Sequence, residues 1–157
     1  MAGAKVTSFV FDESLLFFLP PGRRTAPLTL AHRERQSIKH LIESLGVPHT
    51  EVGEVRVNGQ IARLEEIAEN GDRIEVRAAA PGCSIEPRFL LDSHLGRLAA
   101  HLRMCGFDCL YANDYEDSRL AEIMAADERI LLSRDRRLLM RKIVRHGYCL
   151  RSLDPQE

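Results

Sequence analysis

Three carboxylates are placed where they could do chemistry. Asp92 directly follows the apolar run Phe89-Leu90-Leu91. Asp135 follows a second such run, Ile130-Leu131-Leu132, within Leu132-Ser133-Arg134-Asp135. Asp117, with Asp114 and Glu116 nearby, stands where a helix should open between them. If the runs are strands of an open parallel sheet, Asp92 and Asp135 point into the crevice outside the strand ends, where such sheets bind ligands. Two carboxylates ~4 Å apart repel by about 4 kcal/mol at an effective dielectric near 20. A cluster therefore needs a cation or a shared proton. Ligands that are all oxygen favour Mg²⁺ or Mn²⁺ over zinc. Such an ion could activate water and stabilise charge on a phosphodiester under attack. The candidate catalytic and metal-binding set is Asp92, Asp117 and Asp135, with Asp114 as a further ligand. Each residue also has a plainer reading: Asp117 as a helix N-cap, Asp92 and Asp135 as turn formers. Their joint placement is more informative than any one of them.

A cationic stretch lies beside them. Residues 129–145 hold Arg129, Arg134, Arg136, Arg137, Arg141, Lys142 and Arg145 against one acid, Asp135. As a helix, the stretch would carry Arg137, Arg141 and Arg145 as a stripe at i, i+4 and i+8. Cations beside an acidic cluster suit a phosphate-backbone substrate. Arg134, Arg136, Arg137, Arg141, Lys142 and Arg97 are the candidate nucleic-acid contacts. His94, two residues past Asp92, is a candidate neighbour of that carboxylate.

These groups need elements to hold them. After residue 87 the pattern alternates strand and helix. Phe89–Leu91 reads as a buried strand. Leu95, Leu98, Ala99 and Leu102 share a helix face that Gly106 ends. Asp108 to Tyr111 is a strand, Asp117 or Ser118 opens a helix, and Ile130–Leu132 is a strand. Leu138 to Val144 is a helix, and Tyr148 to Leu150 a last strand. This alternation predicts βαβ units and a mostly parallel sheet.

Residues 5–79 follow another pattern. Val6–Phe11 and Ser14–Leu19 read as strands of a hairpin about Asp12-Glu13. Ile38, Leu41, Ile42 and Leu45 make an apolar helix stripe, stopped by Gly46 and Pro48. Val55 to Ile61 is a hairpin on Asn58-Gly59, the pair a type I′ turn wants. Asn70-Gly71-Asp72 turns the chain into the alternating strand Arg73–Arg77. Ala78-Ala79-Ala80-Pro81-Gly82 reads as a linker. Two domains follow, at 1–80 and 87–157.

Bulk composition excludes several classes. With 22 Lys+Arg against 23 Asp+Glu, the net charge of -1 rules out a chain-wide polycation. No apolar run approaches the ~18 residues that span a bilayer, and the N-terminus lacks the form of a signal peptide. The 4 cysteines form no C-x-x-C pair, so a zinc ribbon is not expected and all four read as small buried hydrophobes in a cytoplasmic protein.

The first half resembles a ubiquitin-like β-grasp domain of the sulfur-carrier type, carried by Asn58-Gly59 and Gly71-Asp72-Arg73-Ile74. Such carriers end in a free Gly-Gly. Here Ala79-Ala80-Pro81-Gly82-Cys83 stands at that place and the chain continues, which excludes carrier chemistry and leaves a docking module. The second half resembles the Mut-seven C-terminal RNase family of PIN-like nucleases. Arg88 through Ala99, Gly106-Phe107-Asp108, Tyr111-Ala112-Asn113-Asp114 and Ile130 through Arg136 carry this likeness. Bacterial members often have a ubiquitin-like domain in front, which Ser37 through Val52 resembles. The resemblance implies a metal-dependent endoribonuclease using Mg²⁺ or Mn²⁺, with single-stranded RNA the expected partner and its acidic positions on Asp92, Asp117 and Asp135, and Asp114 beside them. Ser133 stands where the family usually has Thr, keeping a hydroxyl. Many members continue into a segment with zinc-binding cysteine pairs, and the sequence is read as stopping short of it. The alternative is a non-catalytic RNA-binding or docking module on the same fold.

Overall fold

The computed structural model describes residues 3–33, 35–80, 85–111 and 117–152. The chain divides into two compact units, Met1–Ala80 and Pro81–Glu157. Of the expected linker, Pro81 and Gly82 lie outside the described residues.

The first unit is a five-stranded mixed sheet. Its strands are β1 (Lys5–Phe11), β2 (Leu28–His32), β3 (Val52–Val57), β4 (Gln60–Ala62) and β5 (Arg73–Ala78), in the order β2-β1-β5-β3-β4. β1 and β5 pair in parallel while the other neighbours are antiparallel. Thr7, Phe9 and Phe11 alternate inward along β1, as a strand with one covered face requires. Helix α1 (Ile38–Ser44) buries Ile38, Leu41 and Ile42, and Ser37 caps it by accepting from the His40 amide. This is the β-grasp arrangement expected from the sequence.

One expected strand is absent. Glu13–Phe18 is a 3-10 helix that buries Leu15 and Phe18, three residues apart, and leaves Phe17 42% exposed. A five-residue apolar run does not say which period it will follow. The strand that pairs with β1 is β2, where Leu28 and His32 are buried and Leu30 is half-buried.

The Asn58-Gly59 turn forms as read, with φ of 51° and 85°. Asn58 also works as a side chain. Its Nδ2 donates to Asp72 Oδ1 at 2.9 Å, and its Oδ1 accepts from the Arg73 amide at 3.0 Å. Asn58→Ala loses both bonds and places a Cβ without polar compensation at positive φ. Urea unfolding should show a loss of about 1 kcal/mol, and Asn58→Gly should recover part of it.

The second unit is a four-stranded, all-parallel sheet. Its strands are β6 (Phe89–Leu91), β7 (Cys109–Tyr111), β8 (Ile130–Ser133) and β9 (Gly147–Cys149), in the order β7-β6-β8-β9. Helices α2 (Gly96–Met104), α3 (Asp117–Ala126) and α4 (Arg136–Leu139) connect them. Leu91, Leu95, Ala99, Cys109 and Leu132 form a buried cluster with α2. Leu90 and Leu131 alternate with these strand residues and are also buried, so both sheet faces are covered.

The helix expected over Leu138–Val144 is a single turn, Arg136–Leu139, followed by turns. The helix starts at the Asp135 cap and ends at Leu139, and the rest of the crossover to β9 is irregular. Leu139 and Val144 are both buried across the irregular stretch. Arg137, Arg141 and Arg145 therefore do not form a helical stripe. Arg129 leaves the cationic set altogether, being buried in an ion-pair network. Among the cysteines, Cys109 and Cys149 are buried as expected, Cys105 is exposed, and Cys83 lies outside the described residues. No helix among the described residues is long and apolar enough to cross a membrane.

Candidate active site at the strand switch point

The strand order decides where a site can form. From β6 the chain goes to β7 on one side, then crosses back to β8 on the other. That reversal leaves a crevice outside the carboxyl ends of β6 and β8. Leu91 pairs with Leu132, so the next residues, Asp92 and Ser133, are level with one another.

Ser133 is completely buried. Its hydroxyl donates to Asp92 Oδ2 at 2.8 Å and accepts from the Asp135 amide at 2.9 Å. The Asp92 amide donates to Leu132 O at 3.2 Å, which fixes the end of β6 against β8. Asp92 Oδ1 accepts from the Ser93 amide at 2.6 Å. Asp135 caps α4, its Oδ1 accepting from the amides of Arg137 at 2.8 Å and Leu138 at 3.4 Å. Ser133 thus links the Asp92 carboxylate to the backbone of Asp135.

Asp92, Ser93, His94, Leu95, Arg134 and Asp135 line a cleft of about 500 Å³. Its wall is supported from β7, where the Tyr111 hydroxyl donates to Ser93 O at 2.9 Å. Gly96 permits this approach, since a Cβ there would lie 3.1 Å from the Tyr111 hydroxyl oxygen.

The sequence-predicted residues separate into groups. Asp92 and Asp135 come together in the cleft. Asp117 opens α3, but its side chain lies outside what is described, as does all of Asp114. Among the described residues, no group of three or more His, Cys, Asp or Glu side chains is arranged to hold a metal ion. Arg134 lines the cleft and donates to Ser152 O at 3.1 Å. Arg97 and Arg137 are exposed, Arg136 is half-buried, and Arg141 and Lys142 lie past the end of α4. His94 is exposed at the cleft. Sequence reasoning treated Ser133 only as a retained hydroxyl. Its position level with Asp92, at the end of an apolar strand, was the available signal.

Two family models match the chain: Mut7-C ubiquitin over residues 4–81 and Mut7-C RNAse domain over residues 87–157. This chain belongs to the Mut7-C family. It carries the family's ubiquitin-like domain followed by its RNAse domain. A search of the curated proteins found no match. The Mut7-C RNAse domain points to a nuclease role, and the cleft at the β6–β8 switch point lies within it.

Proposed function

We propose that the Mut7-C RNAse domain is a metal-dependent endoribonuclease acting on single-stranded RNA in the cytoplasm. Asp92 and Asp135 would hold Mg²⁺ or Mn²⁺, with Asp117 and Asp114 completing the set. The supporting observation is the chain of hydrogen bonds from Asp92 through Ser133 to Asp135. The donors suit such an ion, because Mg²⁺ is commonly held by one or two carboxylates and keeps several waters. When bound, it would polarise a phosphoryl oxygen and acidify a water.

The chain's own residues orient and bind. Ser133 fixes the Asp92 carboxylate, and the α4 amides fix Asp135. Arg134 contributes a cation at the cleft. Arg136, Arg137, Arg141, Lys142 and Arg97 are the proposed contacts to flanking phosphates, and each lost contact should lower the salt dependence of RNA binding.

Titration calorimetry with Mn²⁺ tests the reading. Uptake that is lost in Asp135→Asn supports it. Absence of uptake, with salt-sensitive RNA binding intact, favours a non-catalytic RNA-binding module. That second reading has its own support, since both carboxylates already have structural partners. Ser133→Ala should lower cleavage by about 10- to 100-fold, as loss of an orienting partner does. Ser133→Thr should retain most of the activity in the same assay.

A further inference from the structure

Asp92 is held at both carboxylate oxygens, and the two donors have different origins. Ser133, at the end of β8, donates to Oδ2 at 2.8 Å, and the Ser93 amide donates to Oδ1 at 2.6 Å. Each oxygen keeps a further lone pair. The Ser93 amide belongs to a tight turn. The Leu95 amide donates to Asp92 O at 3.0 Å, which closes residues 92–95 with Ser93 and His94 at the centre. Turns of types I and II differ in which way their central peptide faces. Here that peptide is gripped, because the Ser93 carbonyl accepts from the Tyr111 hydroxyl at 2.9 Å.

Tyr111 delivers its hydroxyl from a fixed ring. It is level with Leu91 in the pairing of β6 with β7, and it packs against the cluster that holds Leu91, Leu95 and Ala99. Gly96 leaves room for the phenol, since a Cβ there would lie 3.1 Å from Oη and 3.2 Å from Cζ. The cleft is lined by Asp92, Ser93, His94, Leu95, Arg134 and Asp135, and Tyr111 stands outside that lining. It therefore acts on the cleft through Ser93.

We propose that Tyr111 is a positioning residue for the Asp92 carboxylate. From β7, through the Ser93–His94 peptide, it keeps the Ser93 amide on Oδ1, and so sets the orientation in which Asp92 meets a divalent cation. The cation comes from the nuclease reading, on which this inference rests. Tyr111 adds no ligand of its own. Its loss frees the turn, so the carboxylate spends less time in the arrangement that a cation needs. The deficit should fall on metal affinity and leave RNA binding unchanged.

Two variants of the full chain test this from opposite sides. Tyr111→Phe keeps the ring and drops only the hydroxyl. Gly96→Ala keeps the hydroxyl and crowds the ring. Titration calorimetry with Mn²⁺ should show affinity weakened by about 3- to 10-fold in each, less than the 10- to 100-fold typical of a partner that touches the ligand itself. The double variant should bind no more weakly than Tyr111→Phe, because no hydroxyl remains to be displaced. Without metal, the Ser93 amide should exchange faster with solvent in both single variants, as read by ¹⁵N NMR. Cleavage lost in Tyr111→Phe should return at saturating Mn²⁺, whereas that lost in Asp92→Asn should not. Uptake that the wild type shows, that Asp135→Asn loses and that both Tyr111→Phe and Gly96→Ala keep in full would overturn this inference alone. No uptake by the wild type would overturn it together with the nuclease reading. Weaker affinity with an unchanged Ser93 amide would also overturn it, because Tyr111 would then act by another route.

Discussion

Asp92→Asn is expected to lower Mg²⁺-dependent cleavage of single-stranded RNA by about three orders of magnitude, from the several kcal/mol a metal ion contributes to a phosphoryl transition state. The substitution is nearly isosteric. The Asn oxygen can still accept from the Ser133 hydroxyl, which donates to Asp92 Oδ2 at 2.8 Å in the native protein. What is lost is the negative charge. Asp135→Asn should behave alike, and for a similar reason keep its fold, because Asn caps a helix about as well as Asp and the capping amides of Arg137 and Leu138 remain. Single-turnover cleavage of a labelled RNA, with a thermal melt of each variant, makes the comparison. Full activity in both well-folded variants would remove the carboxylates from the chemistry. Ser133→Ala separates orientation from charge: both carboxylates stay, the hydroxyl that orients Asp92 and accepts from the Asp135 amide goes, and the smaller loss should fall mainly on metal affinity.

The legible part of the fold was the part written in long or redundant signals. β6, β8 and α2 each combine an apolar run with a stop residue, and Asp92 and Asp135 follow the strands as expected. The Asn58-Gly59 turn was legible because its geometry demands residues that tolerate positive φ. Leu15 to Leu19 was not, because a short apolar run fits a strand or a 3-10 turn and only tertiary contacts decide. β2 was missed for the opposite reason: Leu28-Thr29-Leu30-Ala31-His32 is only weakly apolar, yet the Thr7–His32 hydrogen bond makes its last residue a buried one. The helix over 138–144 was not legible because the apolar spacing of Leu139 and Val144 is met by an irregular chain that buries both, with the one helical turn set earlier by the Asp135 cap. At the site, Ser133 depends on the register of β6 against β8, which no local pattern encodes. Arg129 shows the same limit, because in sequence it is one more arginine of a basic stretch.

Arg129 is where the second large effect should be seen. Its guanidinium donates to both oxygens of Asp108 at 2.9 Å and to Phe89 O at 3.3 Å, and its Nε lies 2.8 Å from Asp127 Oδ2. Asp127 is also held by Arg88 at 2.6 Å. The network ties together residues at or next to the starts of β6, β7 and β8. Arg129→Met keeps most of the stem volume and removes the charge. We expect a loss of about 2 kcal/mol, below the 3–5 typical of a broken buried pair, because the abandoned carboxylates keep access to water. The Asp108 side chain is 52% exposed. The hydrogen bond from Arg129 holds the Asp108 carboxyl below its ordinary value of 3.8. A depressed folded-state pKa means that the unfolded chain binds more protons as the pH drops, so stability rises with pH there. The contribution is complete above the ordinary value and disappears as the pH falls through the lowered one. Wild-type protein should therefore lose part of its stability on acidification below about pH 4, and Arg129→Met should lack that component of the slope. Urea midpoints measured across the acid range for both proteins read it directly. A wild-type slope that survives the substitution would mean that other carboxylates carry the acid sensitivity, while the cleft at the far ends of the same strands should stay intact as long as the variant is folded.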